Sequence, residues 1–140
     1  MSIEPQGNTR GMRRTGWILS GIVIAFMVAD AGANLLAIEP IKKAMLETGY
    51  PLDQSRLIGV LALPCVVLYA IAATSVLGAI ILTGFLGGAI TSHLRVAGTL
   101  TPEMILSVIL GVLAWGGLWF RDARLRVLIP RRRDAVHGLP

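Results

Sequence analysis

The sequence has little of what soluble chemistry is built from. Its one cysteine, Cys65, excludes an internal disulfide, a CxxC redox pair and a cysteine-based zinc site. Its two histidines, His93 and His137, speak against haem held by paired axial histidines and against a histidine-cluster metal site, so no metal is expected. No phosphate-cradling loop, nucleophile elbow or dinucleotide fingerprint is present. Charged residues make up 15% of the chain, where an average soluble domain carries about a quarter. With 54% hydrophobic residues in 140, this composition excludes a disordered chain, a coiled coil and an ordinary soluble enzyme. A single membrane domain over residues 1–140 remains.

The charge that is present is placed at the ends. Thirteen Lys and Arg stand against eight Asp and Glu, a net +5. Arg10, Arg13 and Arg14 precede the first apolar run, and Arg121, Arg124, Arg126 and Arg131–Arg133 follow the last. Such clusters flanking apolar segments set membrane topology, so a bilayer and not nucleic acid is the expected partner.

Between Arg56 and Arg95 lie 38 residues without one Asp, Glu, Lys or Arg. As a single helix they would be about 57 Å long, nearly twice the roughly 30 Å hydrocarbon core. The interval must turn back on itself, and Ala72-Ala73-Thr74-Ser75 is its least apolar point. The expected spans are 17–38, 57–72, 75–94 and 102–120, with basic tails at 1–16 and 121–140. The apolar runs are continuous, not alternating, so helices and not barrel strands cross the lipid. The expected fold is all-α: a four-transmembrane-helix bundle with a short interfacial helix in its first loop. Thr101 is placed to cap the fourth span, ahead of Pro102, and Asp53 to cap the second.

An even number of crossings puts both basic tails on one side, and the positive-inside rule makes that side the cytoplasm. Trp17, Trp119 and Phe120 lie beside the tails as an interfacial aromatic belt. A cleaved signal peptide is the competing reading, with Arg13-Arg14, an apolar stretch and small residues at Ala29–Ala33. Apolar character resumes at Leu35–Ile38, and cleavage would split the basic tails across the membrane, so an uncleaved first helix is preferred. In the loop that follows, Pro40–Thr48 reads as a short helix. Ile41, Ala44, Met45 and Thr48 share one face, and Lys43 and Glu47 pair on another.

Asp30 is the first candidate for chemistry. A carboxylate in the bilayer costs roughly 2.5–3.5 kcal/mol on insertion scales, so it requires a partner, a proton or a water-filled cavity. Asn34 lies one turn later on the same face. His93 and Arg95, at the end of the third span, fall near the same depth. Arg95 is placed to pair with Asp30 directly or through His93. Asp30, His93 and Arg95 are the catalytic candidates, and Asp30, Asn34, Tyr69, His93 and Arg95 the ligand-binding candidates. Tyr69 enters because Pro64 is expected to kink the second span and open a cavity near it. The plain alternatives are an interhelical hydrogen bond from Asp30, a snorkelling Arg95 and a His93 in wet headgroups. Gly84, Gly87 and Gly88, with Thr91 and Ser92, form a small-residue stripe suited to close helix packing or to a homo-oligomer contact. Gly116-Gly117 reads the same way. Cys65 reads as an inert buried thiol.

These residues resemble the DoxX-like family of small bacterial integral membrane proteins over about Ile18–Pro130. The resemblance rests on Asp30 late in the first span, Gly49-Tyr50-Pro51, Cys65 with Tyr69, Val76–Val96 with its terminal His93 and Arg95, and Trp115–Pro130. It implies a four-helix bundle of the inner membrane, similar to the small membrane subunit of a thiosulfate:quinone oxidoreductase, with other relatives linked to redox-stress complexes. From it follows the expectation of an accessory subunit of a quinone-linked redox system. No cofactor is evident in the residues; quinone and an oxidoreductase subunit are the ligand and partner the resemblance suggests. A small intramembrane enzyme using Asp30, or a purely structural assembly protein, are the alternatives. The chain departs from the family pattern at Asn34, where a lysine is typical, and lacks a proline usual near the second turn.

Overall fold

The computed structural model describes residues 10–128, and side chains to 126. It is all-helical over these residues. α1 spans Arg10–Leu36, α2 Glu39–Thr48, α3 Gln54–Ala70, α4 Ser75–Ala97, α5 Pro102–Arg121 and α6 Ala123–Leu128. Three of them, α1, α4 and α5, are long and apolar enough to cross a membrane. α3 is apolar but shorter, at 17 residues.

α1 starts well before Trp17, so Arg10, Arg13 and Arg14 are helical and not part of a loose tail. Its far end closes at Ala37, which takes a left-handed φ of 46°. There the Ala37 N–H donates to Asn34 O at 3.2 Å and the Ile38 N–H to Ala33 O at 3.3 Å. These bonds satisfy carbonyls the last turn would leave unpaired.

α2 carries Pro40 in its first turn and stops at Gly49, whose φ of 74° suits a residue without Cβ. Its face is the one the spacing predicts, with Met45 and Thr48 buried. Lys43 and Glu47 approach to 3.8 Å on the exposed side.

α3 and α4 are joined by the turn at 71–74, where the least apolar tetrapeptide sits. Thr74 Oγ1 donates to Leu68 O at 2.9 Å and Ser75 Oγ to Ala72 O at 3.1 Å. The expected caps are not made. Asp53 and Thr101 both precede their helices, but neither side chain caps a backbone N–H of the first turn. The chain beyond Arg121 also differs from a bare basic tail, because α6 follows at once and buries Leu125.

α1, α3, α4 and α5 pack as a ring in that order, each against two neighbours, with α2 set against α3 and α4. Neighbours in the ring run antiparallel, so α1 and α4 run the same way. The core lies along the axis, with Val23, Met27 and Ala31 of α1, Cys65 and Tyr69 of α3, Leu82 of α4 and Leu118 of α5.

The two ends of the ring differ. Where α1 begins and α5 finishes, backbones touch. A Cβ on Gly117 would lie 2.6 Å from Ser20 Oγ, one on Gly16 would lie 2.5 Å from Arg121 N, and one on Gly78 would run into the Tyr69 backbone. At the other end α4 loses its packing: its buried residues stop at Leu86, eleven residues before the helix ends.

Candidate functional site

The closed end holds Tyr69. Its hydroxyl donates to Ala114 O at 2.8 Å and shares a 3.0 Å hydrogen bond with Ser20 Oγ, tying α3 to α5 and α1. The side chain is fully buried. Arg121 donates to Tyr69 O at 2.6 Å, and its guanidinium lies 4.8 Å from the centroids of both the Tyr69 and Trp17 rings. A phenol placed this way is a three-helix clasp. Pro64 is exposed within α3. Tyr69, one of the ligand-binding candidates, does not line the cavity that holds Asp30.

The open end holds a cavity of about 650 Å³ between the end of α1, the start of α3, the last turns of α4 and the underside of α2. Asp30, Asn34, His93 and Arg95 all line it. α2 contributes Ile41, Ala44, Met45 and Thr48, the face read from the sequence as one side of a helix. Ile58 and Phe85 add apolar wall, and Gly84 and Gly88 leave the α4 side bare.

Inside this space the pairing expected of Arg95 does not form. Its guanidinium donates to Thr48 O at 3.1 Å and lies 5.8 Å from the Tyr50 ring centroid. Tyr50 OH in turn shares a 2.9 Å hydrogen bond with Ser92 Oγ. These contacts latch the end of α2 to α4. Arg95 thus satisfies a helix-terminal carbonyl, as a basic side chain commonly does.

Asn34, 4% exposed, donates Nδ2 to the backbone carbonyl of Asp30 at 2.9 Å, so its amide does not reach the carboxylate. Among the described residues none donates a hydrogen bond to the Asp30 carboxylate, and no Lys, Arg or His lies within ion-pair distance of it. Asp30 therefore meets the cost of leaving water with a cavity and not with a cation.

Chemically the cavity offers one half-buried carboxyl, one imidazole and one guanidinium on otherwise apolar and hydroxyl-bearing walls. That set can accept and donate hydrogen bonds to a polar head while the walls cover an apolar body. Gly84, Gly88, Thr91 and Arg95 are exposed at its rim, so the space is open along some 16 Å of α4 at 1.5 Å per residue.

The model of the DoxX-like family matches residues 18–117. The chain is a member of the DoxX-like family. No curated protein and no solved structure matches it. The family match takes in the whole cavity, from Asp30 to Arg95. It leaves out Arg10–Trp17 and α6.

This DoxX-like protein thus brings together four of the five ligand-binding candidates and sets Tyr69 apart. Its glycines also divide differently from the stripe reading. Gly84, Gly87 and Gly88 have nothing within 4 Å of an added Cβ, so they do not pack closely within the chain. The tight contacts belong to Gly16, Gly59, Gly78 and Gly117, of which only Gly117 was marked by spacing. Thr48, Tyr50 and Phe85 were not singled out as site residues. The signal for Thr48 was its face of α2, whose destination the sequence does not reveal.

Proposed function

We propose that this DoxX-like protein crosses the bacterial inner membrane four times, with both termini cytoplasmic, and serves as an accessory subunit of a quinone-linked redox system by holding a quinone-type head in the Asp30 cavity. The crossing count follows from direction. α1 and α4 run the same way and each is long enough to cross, so the chain must return between Leu36 and Ser75. α3 is the apolar segment available, and 17 residues is the lower edge of what spans roughly 30 Å. α2 then lies at the outer interface and the basic ends lie inside.

The observation that carries the binding reading is a carboxyl without a partner among the described residues, on an open, mostly apolar cavity. A purely structural bundle would be closed there, with Asp30 paired to Arg95. The same carboxyl favours one further reading, an enzyme using Asp30 as acid or base on a lipophilic substrate oriented by His93 and Arg95.

Purification of the full chain in mild detergent tests both, with mass spectrometry of co-purifying quinones, lipids and proteins for wild type and Asp30→Asn. The expected result is a quinone retained by the wild type and reduced roughly tenfold or more in the still-folded variant, the scale of one hydrogen bond to a charged group. A larger oxidoreductase co-purifying supports the accessory role over the enzyme. Equal, empty proteins in both preparations would overturn the site.

A further inference from the structure

The closed end carries a second site, whose arginines and Trp17 precede the residues that the family model matches. α1 runs two turns beyond Trp17, and its spacing puts Arg10, Arg13, Arg14 and Trp17 on one side of the helix. Together with Ile18 they line a groove of about 500 Å³. All three arginines are exposed. Among the described residues none of them pairs with a carboxylate, and no acidic residue occurs between Arg10 and Asp30.

The floor of the groove is built in place. The Trp17 ring is stacked by the Arg121 guanidinium, which is itself anchored on the Tyr69 carbonyl. An indole fixed in this way offers a rigid amphipathic surface at headgroup depth. Directly beyond it the helix surface turns apolar, with Ile18 and Ile22 exposed one turn apart. Cationic groups, then an indole, then an exposed aliphatic track is the order of chemistry along an acidic phospholipid, from phosphate through glycerol to acyl chain.

We infer that this groove binds one acidic phospholipid per chain, with the headgroup phosphate held by the guanidiniums of Arg10, Arg13 and Arg14 and an acyl chain lying over Ile18 and Ile22. Guanidinium suits this role because its planar fork meets a phosphate with two parallel hydrogen bonds, which an ammonium cannot do. The site is independent of the Asp30 cavity and stands whether or not that cavity takes a quinone.

The test is native mass spectrometry of the full chain, purified in detergent and titrated with phosphatidylglycerol or phosphatidylcholine. The wild type is expected to hold one phosphatidylglycerol and to discriminate strongly against phosphatidylcholine. Arg10→Gln with Arg13→Gln and Arg14→Gln should weaken that binding about a hundredfold, at roughly fivefold per cation. Lys42→Gln with Lys43→Gln and Arg56→Gln removes the same charge at the open end of the ring and should leave the lipid bound. Should the first variant insert poorly, the triple Arg→Lys variant of residues 10, 13 and 14 keeps charge and orientation and should still bind several-fold more weakly. Equal loss in the variant at Lys42, Lys43 and Arg56, equal affinity for phosphatidylcholine, or undiminished binding in the lysine variant would each overturn a built guanidinium site. Glycerol phosphate alone, which lacks the acyl chain, should fail to compete; effective competition would overturn the apolar track.

Discussion

Asp30 and Ala37, seven residues apart near the end of α1, are both out of the ordinary for the same helix. Asp30 was legible from the sequence because a carboxylate in an apolar run demands an explanation, and the depth count put His93 and Arg95 at its level; all three line one cavity. Which group Arg95 binds was not legible. The cavity offers two kinds of acceptor, a carboxylate and the last carbonyls of α2, and helix periodicity is silent about where a loop helix folds back. Ala37 is legible only from the backbone, since nothing in Leu35-Leu36-Ala37-Ile38 marks a left-handed residue. Its φ of 46° sets Cβ against its own carbonyl, at about 1–2 kcal/mol for an L-residue. Glycine avoids that contact but loses more freedom on folding, by roughly 0.5–1 kcal/mol. Ala37→Gly is therefore expected to stabilise the protein by up to about 1 kcal/mol, read as a raised unfolding midpoint in mixed micelles. A lowered midpoint would show that Ala37 is not held in the left-handed region.

At the scale of elements, the useful contrast is between glycines that are full and glycines that are empty. A small-residue stripe in sequence marks where a neighbour is allowed to come close, and does not say whether one does. On α4 the space beside Gly88 is the cavity; at α1 and α5 the space beside Gly117 is the backbone of Ser20. Substitution should separate them. Gly117→Ala forces its methyl against Ser20 N and Oγ and is expected to destabilise by about 1–3 kcal/mol, the usual cost of overpacking. At Gly88 an added Cβ meets nothing within 4 Å, and the leucine of Gly88→Leu has the cavity to extend into. It gains helix propensity of about 0.8 kcal/mol and should leave stability unchanged or raised while filling the cavity. The measurement is a pair: unfolding midpoint, and co-purified ligand. Gly88→Leu should lose the ligand and keep the midpoint. Retention of ligand in Gly88→Leu would place the binding site outside the cavity. The α3–α4 turn and the inward face of α2 were legible because each is local, one a polar interruption and the other a period of 3.6. The loosening of α4 after Leu86 is a property of the ring and has no local signature.

The whole molecule is asymmetric along its axis, tight where three helices clasp Tyr69 and open where α2 covers the space left by α4. This asymmetry has a functional sense only if the two ends face different solvents, and that depends on α3 crossing. Helix length alone leaves α3 short. Direction supplies the missing constraint, because two parallel crossing helices need a return between them. Labelling decides it. In a Cys65→Ala background, single cysteines at Glu47, Ala73, Thr99 and Gly11 sample the α2 surface, the α3–α4 turn, the α4–α5 turn and the start of α1, all of them exposed. A membrane-impermeant maleimide added to intact cells is expected to reach Glu47→Cys and Thr99→Cys, and to reach Ala73→Cys and Gly11→Cys only after permeabilisation. Labelling of Ala73→Cys from outside would mean that α3 dips into the bilayer without crossing it. α1 and α4 could not then both cross in the same sense, and the cavity and the arginine groove would lose their assignment to opposite sides. The four positions form one constraint, since each crossing must reverse the side on which the next one is labelled.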